Sequence, residues 1–140
     1  MPGEPQPAGR HVLLVDDEPA FLDELALYLR RRGWTVTNCA TPCEVMAQLD
    51  LYAGITVVAT DVRLGSLDGF ELAGRIQRER HGHRAVAVVV MTGHGELITR
   101  EKMGQPPGLP VLRKPLDLPT FLAALDAALA RATRERAAEG

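Results

Sequence analysis

Ile55-Thr56-Val57-Val58-Ala59-Thr60-Asp61-Val62-Arg63-Leu64-Gly65-Ser66-Leu67-Asp68-Gly69 carries an apolar, β-branched run straight into an acid, then into a loop that closes on Asp-Gly. Such a run reads as a strand buried on both faces, the kind found in parallel sheets covered by helices. Open sheets of this type take their ligands just beyond the carboxyl ends of the strands. Asp61 is therefore the first candidate for chemistry, against the alternative of a plain turn former. The rest of the chain decides between them.

Toward the N-terminus, His11 to Val15 is a second continuous apolar run, ending in Asp16-Asp17-Glu18-Pro19. Three consecutive acids repel one another unless a cation, a helix N-terminus or solvent relieves them. From Pro19 to Arg32 the spacing of Leu22, Leu25 and Leu29 predicts an amphipathic helix, with Asp16 or Asp17 near its N-cap, Pro19 in its first turn and Gly33 as its stop. Trp34 to Asn38 reads as a shorter, more polar strand at a sheet edge. Thr41-Pro42-Cys43-Glu44 is a capping box that starts a second helix.

Toward the C-terminus, Asp68-Gly69 opens a third helix with Phe70, Ala73 and Ile76 inward and Arg75, Arg78, Glu79 and Arg80 outward. His81 and His83 lack neighbours at ligand spacing and read as solvated loop residues. Ala85 to Met91 is the most strongly β-forming stretch and ends at Thr92-Gly93-His94-Gly95. Glu96 to Met103 reads as a short helix, Gly104 to Pro110 as irregular because its prolines bar helix, and Leu109 to Leu112 as a fifth strand ending at Arg113-Lys114-Pro115. A last helix from about Leu118 presents Phe121, Leu122, Leu125 and Leu129 on one face. Five alternations of strand and helix predict an α/β fold, a doubly wound parallel sheet covered on both sides.

The 140 residues suit one domain: a flexible lead-in over 1–10, the folded unit over 11–130 and a charged, fraying tail over 131–140. A net charge of −2 gives no reason to expect nucleic acid or a charged membrane surface as partner. No apolar run reaches transmembrane length and no secretory signal is present, so the expected location is the cytoplasm. Cys39 and Cys43 read as free thiols, at least one of them in the core.

In a parallel sheet the strand ends converge on one edge, bringing together Asp16, Asp17, Asp61, Thr92 and Lys114. Carboxylate oxygens suit a hard cation such as Mg²⁺, which keeps several waters and favours phosphate-bearing substrates. An aspartate beside a cation, a lysine and a hydroxyl can act as nucleophile toward a phosphoryl group.

With these residues in place, the chain resembles the receiver domain of bacterial two-component response regulators. The resemblance rests on Val-Asp-Asp-Glu at 15–18, Asp61 followed by Asp68-Gly69, Met-Thr-Gly-His-Gly at 91–95, and Lys114-Pro115, and it spans residues 10–130. It implies a flavodoxin-like (βα)5 fold with strand order 2-1-3-4-5. It further implies Asp61 as acceptor of a phosphoryl group from a histidine kinase or phosphotransfer protein, and Mg²⁺ held by Asp16, Asp17, Asp61 and the backbone carbonyl of Arg63. Thr92 and Lys114 are implied as partners of the phosphoryl group, with the Lys114-Pro115 bond cis. Such a chain is a phosphoacceptor rather than an enzyme with a separate substrate. With nothing expected to fold into an output domain after residue 130, either signalling runs through an unidentified target protein, a second copy being a further candidate partner, or the chain is a receiver cut from something larger.

Three positions depart from the family pattern: Val111 where an aromatic is usual, Gly65 where proline is common, and the Pro-rich segment Gln105 to Pro110. They predict an intact phosphorylation site with a remodelled signalling face. Arg63 and His94, each two residues beyond a site residue, are expected to overhang the site and tune phosphoryl lifetime. Three alternatives compete. An aspartyl phosphohydrolase needs a second Asp where this chain has Arg63. A flavoprotein needs Ser, Thr and Gly where this chain has Asp16-Asp17-Glu18. A docking module that is not phosphorylated is admitted by Val111.

Overall fold

Val12, Leu13, Leu14 and Val15 are fully enclosed, and a strand with no solvent face must lie between two layers. The computed structural model describes residues 9–64, 67–79, 85–93 and 109–139. Among them run β1 (His11–Val15), α1 (Pro19–Arg30), β2 (Thr35–Cys39), α2 (Pro42–Leu51), β3 (Val57–Asp61), β4 (Arg63–Leu64), β5 (Leu67–Asp68), α3 (Gly69–Glu79), β6 (Ala87–Thr92), β7 (Val111–Arg113) and α4 (Leu118–Glu139).

The main sheet has the order β2-β1-β3-β6-β7 with every pair parallel. Because β4 and β5 form a separate antiparallel ribbon, β6 and β7 are the fourth and fifth strands of that sheet, and the expected 2-1-3-4-5 order holds. Two hydrophobic layers flank it. Leu22, Leu25, Leu29, Phe121, Leu125 and Ala128 pack α1 and α4 on one face; Val45, Leu49, Phe70, Ala73 and Ile76 pack α2 and α3 on the other. No helix among the described residues is long and apolar enough to cross a membrane.

Local chemistry sets the helix ends. Gly33, at φ +89°, closes α1: its N–H donates to the Arg30 carbonyl at 3.1 Å and the Trp34 N–H to the Leu29 carbonyl at 3.1 Å, the paired bonds of a Schellman motif. The Glu44 N–H donates to Thr41 Oγ1 at the start of α2, as the capping box predicts. Asp68 Oδ1 accepts from the Glu71 N–H at 2.8 Å to cap α3, and Asp117 Oδ2 accepts from the Thr120 N–H at 3.1 Å to cap α4.

Several expectations shift. The N-cap of α1 is Glu18, with no side-chain cap; Asp17 directly precedes it, and Asp16 lies near it as expected and accepts from the Glu18 N–H. The fifth strand starts at Val111 rather than Leu109, since Pro110 lacks the N–H that pairing needs. The tail expected to fray from Arg131 is helical through Glu139: Ala132 is buried, and Arg136 donates through Nε to the Ala85 carbonyl and through Nη2 to the Ile55 carbonyl, each at 2.8 Å. Cys39 is buried and Cys43 exposed, both free. The expectations for residues 1–8, Gly65, His81, His83, His94, the helix over 96–103 and the segment 105–108 lie outside the described residues.

Candidate functional site

The carboxyl ends of β1, β3, β6 and β7 meet at one edge of the sheet. Asp16 follows β1 and is 1% exposed, Asp61 ends β3 at 7%, and Thr92 ends β6 at 4%. Burying two acids side by side is costly unless each is paired or bonded. Asp16 uses both oxygens: Oδ1 accepts from the Glu18 N–H at 3.0 Å and Oδ2 from the Lys114 ammonium at 2.6 Å. Lys114 Nζ also lies 3.4 Å from Asp61 Oδ1. One cation therefore serves both buried carboxylates.

Backbone contacts hold these groups in place. The Lys114 N–H donates to the Thr92 carbonyl at 2.8 Å, which locks the end of β7 to the end of β6. The Val62 N–H donates to the Met91 carbonyl and the Gly69 N–H to the Val62 carbonyl, both at 2.8 Å, folding the loop after Asp61 back on itself. Gly69 sits so close to Asp61 that an added Cβ would fall 2.6 Å from the Asp61 carbonyl oxygen. The Lys114-Pro115 bond is cis.

Asp16, Asp17 and Asp61 each offer a carboxylate oxygen, and these oxygens lie within 4.8 Å of one another; Asp17 is the exposed member. An all-oxygen set with one side open to water fits a hard divalent cation that retains part of its hydration. The donors present thus suit Mg²⁺. Burial alone would lower the Lys114 pKa, but its hydrogen bond to Asp16 and the charges of Asp61 and Asp16 outweigh burial and raise it. Lys114 stays an ammonium at any physiological pH.

Each residue picked out in the sequence has a definite place. Asp16, Asp17, Asp61 and Lys114 come together in one cluster, and Thr92 is buried at the adjoining strand end, its hydroxyl 3.5 Å from the Gly93 carbonyl. Arg63 is exposed and lies opposite Asp68 in the β4–β5 ribbon, next to the loop that follows Asp61. Val111 opens β7 opposite Val90 and packs, partly buried, on the α2–α3 layer. Two contributions to the site were not read from the sequence: that the missing side chain of Gly69 leaves room for the Asp61 backbone, and that the Phe21 ring centroid lies 4.4 Å from Lys114 Nζ. An aromatic in the first turn of a helix that follows the acids is the only sequence signal for Phe21.

Residues 12–126 match the family model of the response regulator receiver domain. The transcriptional regulatory protein GlrR of Escherichia coli (strain K12) is 33% identical over 129 residues, covering 90% of this chain and 28% of that protein. The transcriptional regulatory protein FixJ of Azorhizobium caulinodans is 32% identical over 136 residues, covering 92% of this chain and 59% of that protein. The chain thus spans between 28% and 59% of the length of these two relatives. Among solved structures, a response regulator receiver domain protein from Clostridium thermocellum superposes with a TM-score of 0.76 at 25% identity, over 88% of this chain and 96% of that one.

Proposed function

The chain belongs to the response regulator receiver domain family of two-component signalling, and on that premise we propose that Asp61 accepts a phosphoryl group from a phosphohistidine of a sensor kinase or phosphotransfer protein. The observation that carries this reading is the Lys114 ammonium bonded to Asp16 and 3.4 Å from Asp61, in a cluster of three carboxylates. The cluster supplies a nucleophilic oxygen, seats for a cation and a fixed counter-charge, which are the parts phosphoryl transfer needs.

In the step, a carboxylate oxygen of Asp61 attacks phosphorus. The new P–O bond forms as the P–N bond to the imidazole breaks, and the bonding pair returns to the ring nitrogen. Asp16, Asp17, Asp61 and the Arg63 carbonyl are the residues that would hold Mg²⁺. When bound, that ion supplies neutralisation of charge on the phosphoryl oxygens. Lys114 supplies a second positive charge, Thr92 supplies a hydroxyl donor from the end of β6, and the backbone bonds of Val62 to Met91 and of Gly69 to Val62 hold the backbone next to Asp61. The relatives GlrR and FixJ are transcriptional regulatory proteins; the corresponding role here is to convert phosphorylation into a changed protein-contact face for a downstream target, in the cytoplasm.

Intact mass after incubation with acetyl phosphate tests the proposal. One phosphoryl increment that requires Mg²⁺ and disappears in Asp61→Asn is the expected result. A folded protein that gains no increment from acetyl phosphate or from phosphorylated histidine kinases overturns it.

A further inference from the structure

Lysine is a point charge on a flexible stem, and its position at a site is set by what it touches rather than by its own geometry. Besides the two carboxylates, the Lys114 ammonium touches the face of the Phe21 ring, 4.4 Å from its centroid. We infer that Phe21 is a positioning residue for Lys114, a cation–π platform that keeps the ammonium over the carboxylate cluster when the Asp16 oxygens turn to a metal ion. The inference rests on the proposed phosphoacceptor role and deepens it.

The placement of the ring follows from the sequence. Asp16 Oδ1 accepts from the Glu18 N–H at 3.0 Å and Pro19 occupies the first turn, so the start of α1 is fixed directly to the acid that grips Lys114 through its other oxygen. Phe21 is two residues further on, partly buried against the α1–α4 layer. Its neighbour Leu22 is in the core, which leaves Phe21 turned toward the rim of the sheet edge where Lys114 emerges.

The need for a platform comes from competition. Asp16 Oδ2 accepts from Lys114 at 2.6 Å, yet Asp16 also belongs to the trio able to hold a cation. A cation taking up that oxygen weakens the Lys114 bond. Asp61, 3.4 Å from the ammonium, belongs to the same trio, so with both carboxylates turned to a cation an ammonium held by them alone would swing into water, where its stem has many conformations. A ring face attracts the ammonium without competing for the metal, because it offers no oxygen. The ammonium then stays within reach of a phosphoryl group arriving on Asp61.

Phe21→Leu keeps an apolar side chain of similar size and removes the quadrupole; Phe21→Tyr keeps the ring. The expected result in Phe21→Leu is a fall of about fivefold in the rate of acetyl phosphate phosphorylation at saturating Mg²⁺, equivalent to about 1 kcal/mol, with Phe21→Tyr near the parent rate. The Lys114 side-chain methylene protons next to the ammonium should show an upfield ring-current shift in the parent and in Phe21→Tyr but not in Phe21→Leu. In the parent and in Phe21→Tyr the shift should persist on adding Mg²⁺; a ring that merely packs nearby would let the ammonium leave and the shift fade, which would overturn the inference. Equal rates for a folded Phe21→Leu and the parent, or an unshifted Lys114 in the parent, overturn the inference. If the parent takes up no phosphoryl group, the phosphoacceptor reading fails, and the ring-current shift still decides whether Phe21 positions Lys114.

Discussion

Gly69→Ala tests how the fold holds Asp61. An added Cβ would lie 2.6 Å from the Asp61 carbonyl oxygen and 3.3 Å from both the Asp61 carbonyl carbon and Thr60 Cγ2. Bringing the first of these to 3.0 Å requires about 0.4 Å of backbone movement, and neither side yields easily. Asp61 is the last residue of the buried β3, paired with Met91, while Gly69 begins α3 and donates to the Val62 carbonyl. Overpacking of this kind costs roughly 1–3 kcal/mol. Alanine recovers up to about 1 kcal/mol of that, because it is the better helix former and restricts the unfolded chain. The net expectation is a loss of about 1–2 kcal/mol, or roughly 3–8 °C in Tm. Since displacing a reacting group by about 1 Å can cost 10²-fold, a shift of this smaller size should slow phosphorylation of Asp61 by about tenfold. Urea unfolding followed by circular dichroism gives the first quantity, and mass-resolved kinetics with acetyl phosphate the second. A Gly69→Ala protein as stable as the parent and phosphorylated at the parent rate would refute the claim that close approach to Asp61 requires glycine here.

Lys114→Met leaves Asp16 buried without its ammonium; in chelator it should lose about 2–3 kcal/mol of stability, and on the proposed reading, in which the folded cluster holds Mg²⁺, much of this should return with the ion. Urea titrations with and without the ion measure both. Because the folded pKa of Lys114 is raised, the advantage of the parent over Lys114→Met is full below the unfolded lysine pKa and disappears as pH climbs through the folded one; stability curves that merge at neutral pH would contradict this. Arg136→Met removes two bonds from a charged donor to strand-end carbonyls and should cost about 1–3 kcal/mol, with faster amide exchange confined to the last turns of α4. His11 has its pKa lowered by burial, so its contribution to stability is full above the unfolded histidine pKa and is lost as pH falls through the folded one. His11→Gln should therefore flatten the mildly acidic side of the stability curve, seen as a smaller drop in Tm between neutral and mildly acidic buffer.

The elements that could be read to the residue are those whose signal is local. β1 runs over His11–Val15 as expected, because a strand buried on both faces appears as an unbroken apolar run. The Gly33 stop and the Thr41 cap depend only on neighbouring backbone, and both hold. Apart from the Pro110 boundary, misplaced ends trace to distant partners. The Ile55 carbonyl is taken by Arg136, 81 positions later, and β3 itself begins at Val57. The same arginine explains why composition misjudged the end of α4: a run rich in Arg, Glu and Ala reads as a frayed tail unless its cation reaches back to the sheet. Residue types and strand ends made the candidate site legible. The bond from Lys114 to Asp16, joining residues 98 apart, follows from topology once the sheet order is known, whereas the contacts of Phe21 and Gly69 depend on side-chain directions and distances that no spacing encodes.

The charge balance of the cluster links its stability to its proposed chemistry. Asp16, Asp17 and Asp61 against Lys114 leave two formal negative charges at one edge of the sheet, the amount one divalent cation cancels. Two of the three acids are buried, so the excess cannot simply be dispersed in water, and a divalent cation bound there would offset it. Phosphorylation changes this balance. Asp61 would give up one negative charge in forming the acyl phosphate and gain about two on the phosphoryl oxygens, so the site becomes more negative by roughly one charge next to Lys114. The ammonium would gain by leaving Asp16 for the phosphoryl group. A phosphoryl group on Asp61 that drew the ammonium over would act on a residue whose backbone N–H is already bonded to the Thr92 carbonyl at the end of β6.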